Sequence, residues 1–289
     1  MGKSSKNPSS SYISPSFFII GERKCGTSSL YRYLVAHPNV LPCALKEPNF
    51  FGKGMPYVRT HIDEYWSLFP EKTSKEDIHF RWPELNHNGM LYHEDVVVKR
   101  IENQNYITGE ASANTFFEVS PDLVKHYLPE IKLIILLRNP VDRAFSHHRM
   151  YQRFQAEGRN LGFVVNDFET DILTELDLFQ KGEEGHYLAP SIYIHRLIHW
   201  AKVFSNNQLK ILFLEELSEQ SAAMSIMEEL QVYLKLPFFD YNKIISRRYN
   251  VAPPIEMKSA LRANLSSFFK PFNQELSNFL DRELPKSWD

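Results

Sequence analysis

The run Lys132-Leu133-Ile134-Ile135-Leu136-Leu137 is the sequence feature that most restricts the fold of this chain. Its apolar residues are consecutive rather than alternating, which is typical of a central strand in a parallel sheet, since such a strand is buried on both faces. Both faces are buried only if helices cover the sheet on both sides. Further strands are predicted at 16–20, 106–109 and 209–214, and helices at 27–37, 141–154, 165–180, 190–204, 219–235 and 256–283. This alternation predicts one α/β domain around a mainly parallel sheet flanked by helices.

Composition limits the class of protein and its location. Residues 1–15 are rich in Ser, Lys, Asn and Pro, so we expect a flexible N-terminus followed by one folded domain over 16–289. The two cysteines are too few for a disulfide framework. Residues 1–15 lack the apolar stretch of a signal peptide, and no apolar run is long enough to cross a bilayer. These features predict a cytoplasmic protein without a membrane partner, and the net charge of −2 argues against a nucleic-acid partner.

A basic, glycine-containing loop lies between the first predicted strand and the first predicted helix. Such a loop directs backbone N–H groups and the positive end of the helix dipole toward one point, where an anion binds. The segment departs from a Walker A loop, because Thr follows Gly26 and the lysine precedes it. The residues predicted to bind the anion here are Arg23, Lys24, Cys25, Gly26, Thr27 and Ser28.

A second anion site is predicted after the run at 132–137. Arg138 stands at the carboxyl end of that strand, where open α/β sheets bind ligands. Ser146 lies about two turns into the following helix. An arginine fork and a hydroxyl are suited to hold a phosphate away from the first site. Arg143, between them, is expected to pair with Asp142 or a Glu at the surface.

With both segments identified, the chain resembles the PAPS-dependent sulfotransferases (PAPS is 3′-phosphoadenosine 5′-phosphosulfate), most closely the branch that includes the heparan-sulfate enzymes. Residues 19–30 are similar to the family's 5′-phosphosulfate loop, and residues 136–146 to its 3′-phosphate segment. Lys46-Glu47-Pro48-Asn49-Phe50-Phe51 is similar to the segment with the catalytic Glu, and Tyr193, Leu197 and Trp200 follow the family's Tyr-x3-Leu-x2-Trp spacing. The resemblance covers about 16–51 and 106–216, and is absent over about 53–105, where acceptor contacts are expected.

The resemblance implies a P-loop-like sulfotransferase fold and in-line transfer of a sulfuryl group from PAPS, with PAP as product and no required metal. Lys24 is then the residue at the leaving oxygen, and Glu47 the general base that removes the acceptor's proton. A histidine is the rival base, because its ordinary pKa lies near neutrality. The candidates are His87, His93, His147, His148 and His186.

Three further predictions concern residues around the nucleotide. Arg247, Arg248 and Tyr249 match the basic C-terminal loop with which the family closes its nucleotide site, or they form a solvated basic turn. Tyr193 either lines that site or belongs to the core, whereas Trp200 is assigned to the core. The neighbouring lysine and helix N-terminus predict a lowered pKa for Cys25.

The acceptor is narrowed by one departure from the family. Heparan-type enzymes have a Lys where this chain has Ala111, which removes a positive charge from the acceptor side. The acceptor is therefore expected to be a small molecule, a glycan, or a β-hydroxyacyl chain on an acyl carrier protein, as in bacterial polyketide and olefin-synthase relatives.

Two alternative functions are a P-loop kinase or other nucleotide-dependent phosphotransferase, and a non-catalytic PAP- or PAPS-binding module. The phosphotransferase is disfavoured because Arg138 stands where a metal-binding carboxylate is needed.

Overall fold

The computed structural model describes residues 11–73, 76–85, 91–101, 104–245 and 256–288. Within these ranges the strands are β1 (Phe17–Gly21), β2 (Val40–Pro42), β3 (Ile78–Leu85), β4 (Leu91–Val98), β5 (Ile107–Ala111), β6 (Lys132–Leu137) and β7 (Leu209–Phe213). The α-helices are α1 (Thr27–Val35), α2 (Met55–Trp66), α3 (Thr115–Glu118), α4 (Pro121–Tyr127), α5 (Pro140–Ala156), α6 (Phe168–Gln180), α7 (Tyr193–Val203), α8 (Leu214–Leu217), α9 (Gln220–Leu234), α10 (Asn242–Ile245) and α11 (Ser259–Leu280).

Five of these strands form one parallel sheet in the order β2-β5-β1-β6-β7. Residues 133–137 of β6 are completely buried, as a strand covered on both faces requires. Alternate residues of β1 enter opposite cores: Phe18 packs on the side of α7 and α11, and Ile19 on the side of α1 and α9. The prediction of one α/β domain with a parallel sheet flanked by helices is confirmed.

The sheet order determines where a ligand site can form. Because β1 lies between β5 and β6 and all three run in the same direction, the segments that leave their carboxyl ends emerge at one edge. These segments are the loop after Gly21, the loop after Ala111 and the turn at Arg138. Open α/β sheets bind ligands at such an edge.

The many Pro, Gly, His and aromatic residues of the region 44–105 predict long loops with short helices, but the region is more regular in the structure. It contains the 12-residue helix α2 and an antiparallel hairpin in which β3 pairs with β4 from Ile78↔Val98 to Leu85↔Leu91. The hairpin is a separate two-stranded sheet. Pro83 within β3 obscures the strand in the sequence, and it is tolerated because a two-stranded sheet consists of edge strands. Ile78, Val96 and Val98 pack against the core on the α1 side.

The start of the described chain is tied to the domain. Tyr12 forms an isolated antiparallel bridge with Glu71, and the Ile13 N–H donates to the Pro70 carbonyl over 2.8 Å. Residues 1–10 lie outside the described residues, so the predicted boundary at residue 15 stays a prediction. Among the helices described above, none combines the length and the apolar character that crossing a membrane requires.

Candidate active site

The loop between β1 and α1 has the conformation expected of an anion site. Gly26, the residue before α1, adopts φ +90°, and a Cβ at this position would lie 2.6 Å from Leu214 Cδ1. Glycine is therefore required both by the left-handed backbone and by the close packing. Since Gly26 offers no side chain to cap the helix, the first-turn N–H groups of α1 at Thr27 and Ser28 point out of the helix start.

Lys24 is the half-buried cation of this loop, and its own backbone is left-handed at φ +70°. Burial lowers the pKa of its amine to about 8, and the positive charges of Arg153 and Arg138 lower it further. The Glu47 carboxylate acts in the opposite direction and raises that pKa. Arg138 and Arg153 thus lie near enough to Lys24 to repel its charge, and an anionic ligand bound among the three cations would relieve this repulsion.

The predicted second segment is in direct contact with the first. Arg138 follows β6, and its Nη1 donates to the Lys24 carbonyl over 3.2 Å. Asn139 caps α5 by accepting from the Val141 N–H at 2.9 Å and the Asp142 N–H at 3.2 Å. Ser146 is half-buried on α5, two turns after the helix begins. Arg138 and Ser146 therefore lie on either side of the start of α5.

Tyr193 belongs to the core and also holds the two segments together. It is 2% exposed, and its hydroxyl donates to the Arg138 carbonyl over 2.8 Å. The same hydroxyl lies 3.8 Å from Cys25 Sγ. Trp200 is buried as predicted, and its indole N–H donates to the Phe116 carbonyl over 3.0 Å. Tyr193 is thus a core residue that links the two segments, and its contact with a nucleotide stays a prediction.

The prediction of a lowered pKa for Cys25 is wrong. The thiol is completely buried, and burial raises its pKa to about 12. The Glu22 carboxylate raises the pKa as well, and these effects outweigh the opposing charges of Arg143 and Arg138. Cys25 therefore contributes packing and its backbone to the loop, since the thiolate is strongly disfavoured.

Glu47 lies on the segment that follows β2, near enough to Lys24 for its charge to raise the pKa of that amine. Its carboxylate accepts from Lys46 Nζ over 3.0 Å and is 34% exposed. Asn49 fixes the segment: its Nδ2 donates to the Glu47 carbonyl, and its backbone N–H donates to Ser112 Oγ, each over 3.0 Å. The pairing with Lys46 leaves Glu47 partly open to solvent, so both a structural and a catalytic role are compatible with it.

A second carboxyl group lies beneath this segment. Glu110 is completely buried and accepts from Tyr65 over 2.9 Å and from Ser112 Oγ over 2.7 Å. Burial raises its pKa to about 7 against those two hydrogen bonds, and the Glu47 charge raises it further. Because Ser112 also accepts from the Asn49 N–H, Glu110 supports the segment that carries Glu47.

Strained backbone is concentrated at the predicted catalytic residues. Five described residues other than glycine have positive φ. Lys235 and Asp281 are ordinary left-handed ends of α9 and α11. The other three are Lys24, Glu47 and Asn49. Such conformations persist where the surroundings enforce them, and they are frequent at active sites, so this strain supports the assignment of Lys24 and Glu47 independently of their chemistry.

Arg23 and Arg143, the two remaining arginines near the loop, differ in burial and in their partners. Arg23 reaches Glu118 at 3.0 Å and Tyr151 at 3.3 Å. Arg143 was expected at the surface, but it is completely buried and pairs with Glu22 at 3.8 Å. The reason is that it lies on the inner face of α5, whereas Asp142 faces outward and pairs with Arg262.

Four charged residues of the site were missed from the sequence: Glu22, Glu110, Arg143 and Arg153. Helical periodicity places Arg143 and Arg153 on α5 but does not indicate that they approach the loop. Glu110 is the only charged residue of β5, and this was the available signal for a buried carboxyl group.

Two of the five predicted histidine alternatives are unsuited to act as base. His147 and His148 are at most 2% exposed, and burial lowers the pKa of both. His186 is exposed, and its ring stacks on Phe163 with ring centroids 4.2 Å apart. His87 lies outside the described residues, as do Arg247, Arg248 and Tyr249, and the structure does not describe the His93 side chain. In the described ranges, no group of three or more His, Cys, Asp or Glu side chains is arranged to bind a metal.

Comparison with known proteins agrees with this geometry. A family model described as the sulfotransferase family matches residues 15–192, more than half of the chain. Carbohydrate sulfotransferase 15 from Rattus norvegicus is 26% identical over 326 residues, covering 93% of this chain and 54% of that protein. The bifunctional heparan sulfate N-deacetylase/N-sulfotransferase 4 from Mus musculus is 26% identical, covering 93% of this chain and 30% of that protein. The chain thus spans about half the length of the first relative and about a third of the second.

A solved structure extends the likeness to the whole fold. The crystal structure of a sulfotransferase from Alicyclobacillus acidocaldarius superposes with a TM-score of 0.64 at 25% sequence identity. The superposition covers 95% of this chain and 98% of that chain.

Proposed function

The chain belongs to the sulfotransferase family, and from that membership we propose that it transfers a sulfuryl group from PAPS to an acceptor hydroxyl and releases PAP. The observation that carries the proposal is the convergence of Lys24, Arg138 and Arg153 at the carboxyl edge of the sheet, with the Glu47 carboxylate acting on the same amine. A cluster of cations suits a polyanionic donor, and a carboxylate beside it suits removal of a proton from the acceptor.

The residues of the two segments fit a nucleotide with phosphates at both ends. The N–H groups of Gly26, Thr27 and Ser28 and the hydroxyls at 27 and 28 would hold the 5′-phosphate. Arg138 and Ser146 would hold the 3′-phosphate, which distinguishes PAPS from ATP. The hydrogen bond from Arg138 to the Lys24 carbonyl supports this assignment, because it fixes one phosphate site relative to the other.

PAPS supplies a sulfuryl group that is already activated by its bridge to phosphate. Lys24 would stabilise the negative charge that develops on the bridging oxygen as the sulfur–oxygen bond breaks. The pKa of about 8 for the free amine makes Lys24 able to bind as a cation near neutral pH and to respond to added negative charge. Arg153 would add positive charge to the same place. No metal is needed for this charge stabilisation.

Glu47 would accept the proton of the acceptor hydroxyl as its oxygen attacks sulfur. Two features support this role over a histidine: the strained backbone at φ +56° and proximity to Lys24. Asn49 and Ser112 would keep the carboxylate in position. The basic segment 247–249 stays a predicted part of the nucleotide site.

We propose a carbohydrate hydroxyl as the first acceptor class to test. Both curated relatives named above have names that refer to carbohydrate or heparan sulfate. Ala111 is 1% exposed and brings no charge to the acceptor side, which favours acceptors with few anionic groups. A β-hydroxyacyl chain on an acyl carrier protein is the second class, and a cytoplasmic location stays a prediction based on the two cysteines, which are free and buried.

Thermal melting tests the nucleotide assignment. A ligand that binds only the folded protein raises its melting temperature. We expect PAP to raise the melting temperature without Mg²⁺, ATP and ADP to do so much less, and Arg138→Ala to lose the effect of PAP. Stabilisation by ATP with Mg²⁺ but not by PAP would overturn the proposal in favour of a phosphotransferase. PAP binding without transfer to any member of an acceptor panel would favour a binding module.

A further inference from the structure

A buried ion pair joins the two proposed phosphate-binding segments, and almost none of either side chain is exposed to solvent. Glu22 directly follows β1 in the 5′ loop, and Arg143 lies on α5, one turn before Ser146. Arg143 Nη1 is 3.8 Å from Glu22 Oε1. The two residues are 1% and 0% exposed, respectively. The charges therefore interact with little screening by solvent.

The two side chains of the ion pair differ in how fully they are hydrogen-bonded. Arg143 has neutral partners of its own, since its Nε donates to Ser191 Oγ and its Nη2 to the Tyr187 carbonyl, each over 2.6 Å. Glu22 Oε1 accepts from the Arg23 N–H over 2.7 Å, but Glu22 Oε2 has no hydrogen-bond partner among the described residues. The guanidinium therefore stays in place whether or not Glu22 carries a charge. A proton on Oε2 would break none of these hydrogen bonds.

We propose that Glu22 is a positioning residue that acts on the nucleotide through Arg143, by taking up a proton from solvent when the nucleotide binds. Loss of the negative charge leaves the Arg143 guanidinium uncompensated beside the incoming phosphates. The positive field at both phosphate sites thereby increases at the moment of binding. This inference rests on the proposed PAPS-dependent function.

Near neutral pH, Glu22 is close to the midpoint between its protonated and ionised forms, so a nearby charge can shift its protonation. Burial raises its pKa to about 7, against the opposing effects of Arg143 and of the Arg23 N–H and charge. The Glu118 carboxylate raises the pKa slightly. The other titratable groups near Glu22 are Cys25 and Tyr193, both with pKa values raised by burial, and His147, whose pKa burial lowers. Added phosphate charge disfavours the carboxylate further, so binding drives protonation.

Proton linkage gives the expected size and sign of the proton uptake and of the change in PAP affinity with pH. If nucleotide binding raises the pKa of Glu22 by about one unit, about 0.4 proton is taken up at pH 7. Affinity for PAP then decreases by about fivefold from pH 6 to pH 8 through this residue alone.

Calorimetric titration of the full chain with PAP measures the proton uptake directly. The apparent binding enthalpy is recorded at pH 7 in several buffers of different ionisation enthalpy, for the wild type, Glu22→Gln and Glu118→Gln. Lys24 and the phosphates of PAP also take up or release protons on binding, and this contribution is common to all three proteins. We expect the wild type and Glu118→Gln to take up about 0.4 proton more than Glu22→Gln. Glu118→Gln is the matched control, because it removes a carboxylate that pairs with Arg23 in the same loop.

Equal proton uptake by the wild type and Glu22→Gln would overturn the inference. If Glu22→Gln does not fold, infrared difference spectra of the wild type replace it: PAP should increase the band of a protonated carboxyl group, and an unchanged band would overturn the inference. If the wild type does not bind PAP at any pH, the proposed function fails instead. The two failures are thus distinguishable.

Discussion

Arg138 donates a hydrogen bond from Nη1 to the carbonyl oxygen of Lys24, 3.2 Å away. The bond joins the end of β6 to the loop that follows β1, two adjacent strands of the sheet. Tyr193 strengthens the junction, because its hydroxyl donates to the Arg138 carbonyl and contacts Cys25. The spacing between the two proposed phosphate sites is therefore built into the free protein.

Substitution of Arg138 by lysine should impair binding at one end of the nucleotide. Lysine keeps the charge but loses the fork that reaches both a phosphate and the Lys24 carbonyl. A hydrogen bond to a charged group contributes about 1.5–3 kcal/mol, so KM for PAPS should rise about 10- to 150-fold. Preference for PAPS over adenosine 5′-phosphosulfate should decrease in the same variant. Arg262→Lys is the control, since Arg262 pairs with Asp142 in the first turn of α5, the helix that follows Arg138. A similar loss in that variant would contradict the assignment.

The pH dependence of kcat/KM for PAPS should show the titration of Lys24. The free amine has a pKa lowered to about 8, so its charge is present below that pH and lost above it. We expect kcat/KM to decrease tenfold per pH unit above about 8, because this parameter reports the free enzyme. The decrease in kcat should occur at higher pH, since bound phosphosulfate favours the cation. Coincident profiles for the two parameters would argue that Lys24 does not contact the donor.

Glu47→Gln should separate chemistry from nucleotide binding. Glutamine keeps the shape of the side chain but cannot accept a proton, and removal of a general base costs about 100- to 10,000-fold in rate. PAP should stabilise the variant as it does the wild type. Glu118→Gln and His186→Asn serve as controls and should retain most of kcat. A larger loss in His186→Asn than in Glu47→Gln would transfer the role of base to the histidine.

Glu110→Gln should change how stability varies with pH. The pKa of Glu110 is raised from 4.5 to about 7, so its contribution to stability is complete below about pH 4.5 and is lost as the pH rises through 7. The wild type should therefore lose about 2 kcal/mol more free energy of unfolding between pH 5 and pH 8 than the variant does. Urea denaturation at the two pH values measures the difference. Glu22 titrates in both proteins, so identical pH dependence would show that folding does not raise the pKa of Glu110.

The sequence predicted those parts of the fold that have a single local cause. The consecutive apolar residues of β6 and the loop between β1 and α1 were identified because burial on both faces and glycine next to cations leave few alternatives. The β3–β4 hairpin was missed because Pro83 interrupts the strand pattern. Local spacing does not report which strands pair.

The sequence predicted the site residues that belong to recognisable segments and missed those whose role depends on burial. Lys24, Arg138 and Glu47 belong to recognisable segments, and they converge as expected of the edge of a parallel sheet. Glu22, Arg143 and Glu110 act through burial, and burial depends on the tertiary packing around each side chain. For the same reason, the environment of Cys25 was predicted with the wrong sign: proximity to Lys24 is visible in the sequence, but complete enclosure of the thiol is not.

The left-handed backbone at Lys24, Glu47 and Asn49 has a consequence for laboratory evolution. Glycine adopts this conformation freely, whereas another residue incurs a cost on the order of 1 kcal/mol. A screen that rewards only heat resistance would therefore admit glycine at these positions, and variants with glycine at 24 or 47 would survive heating while losing turnover. Libraries built to make this protein more durable should hold these codons fixed, or every round should include a selection for product formation.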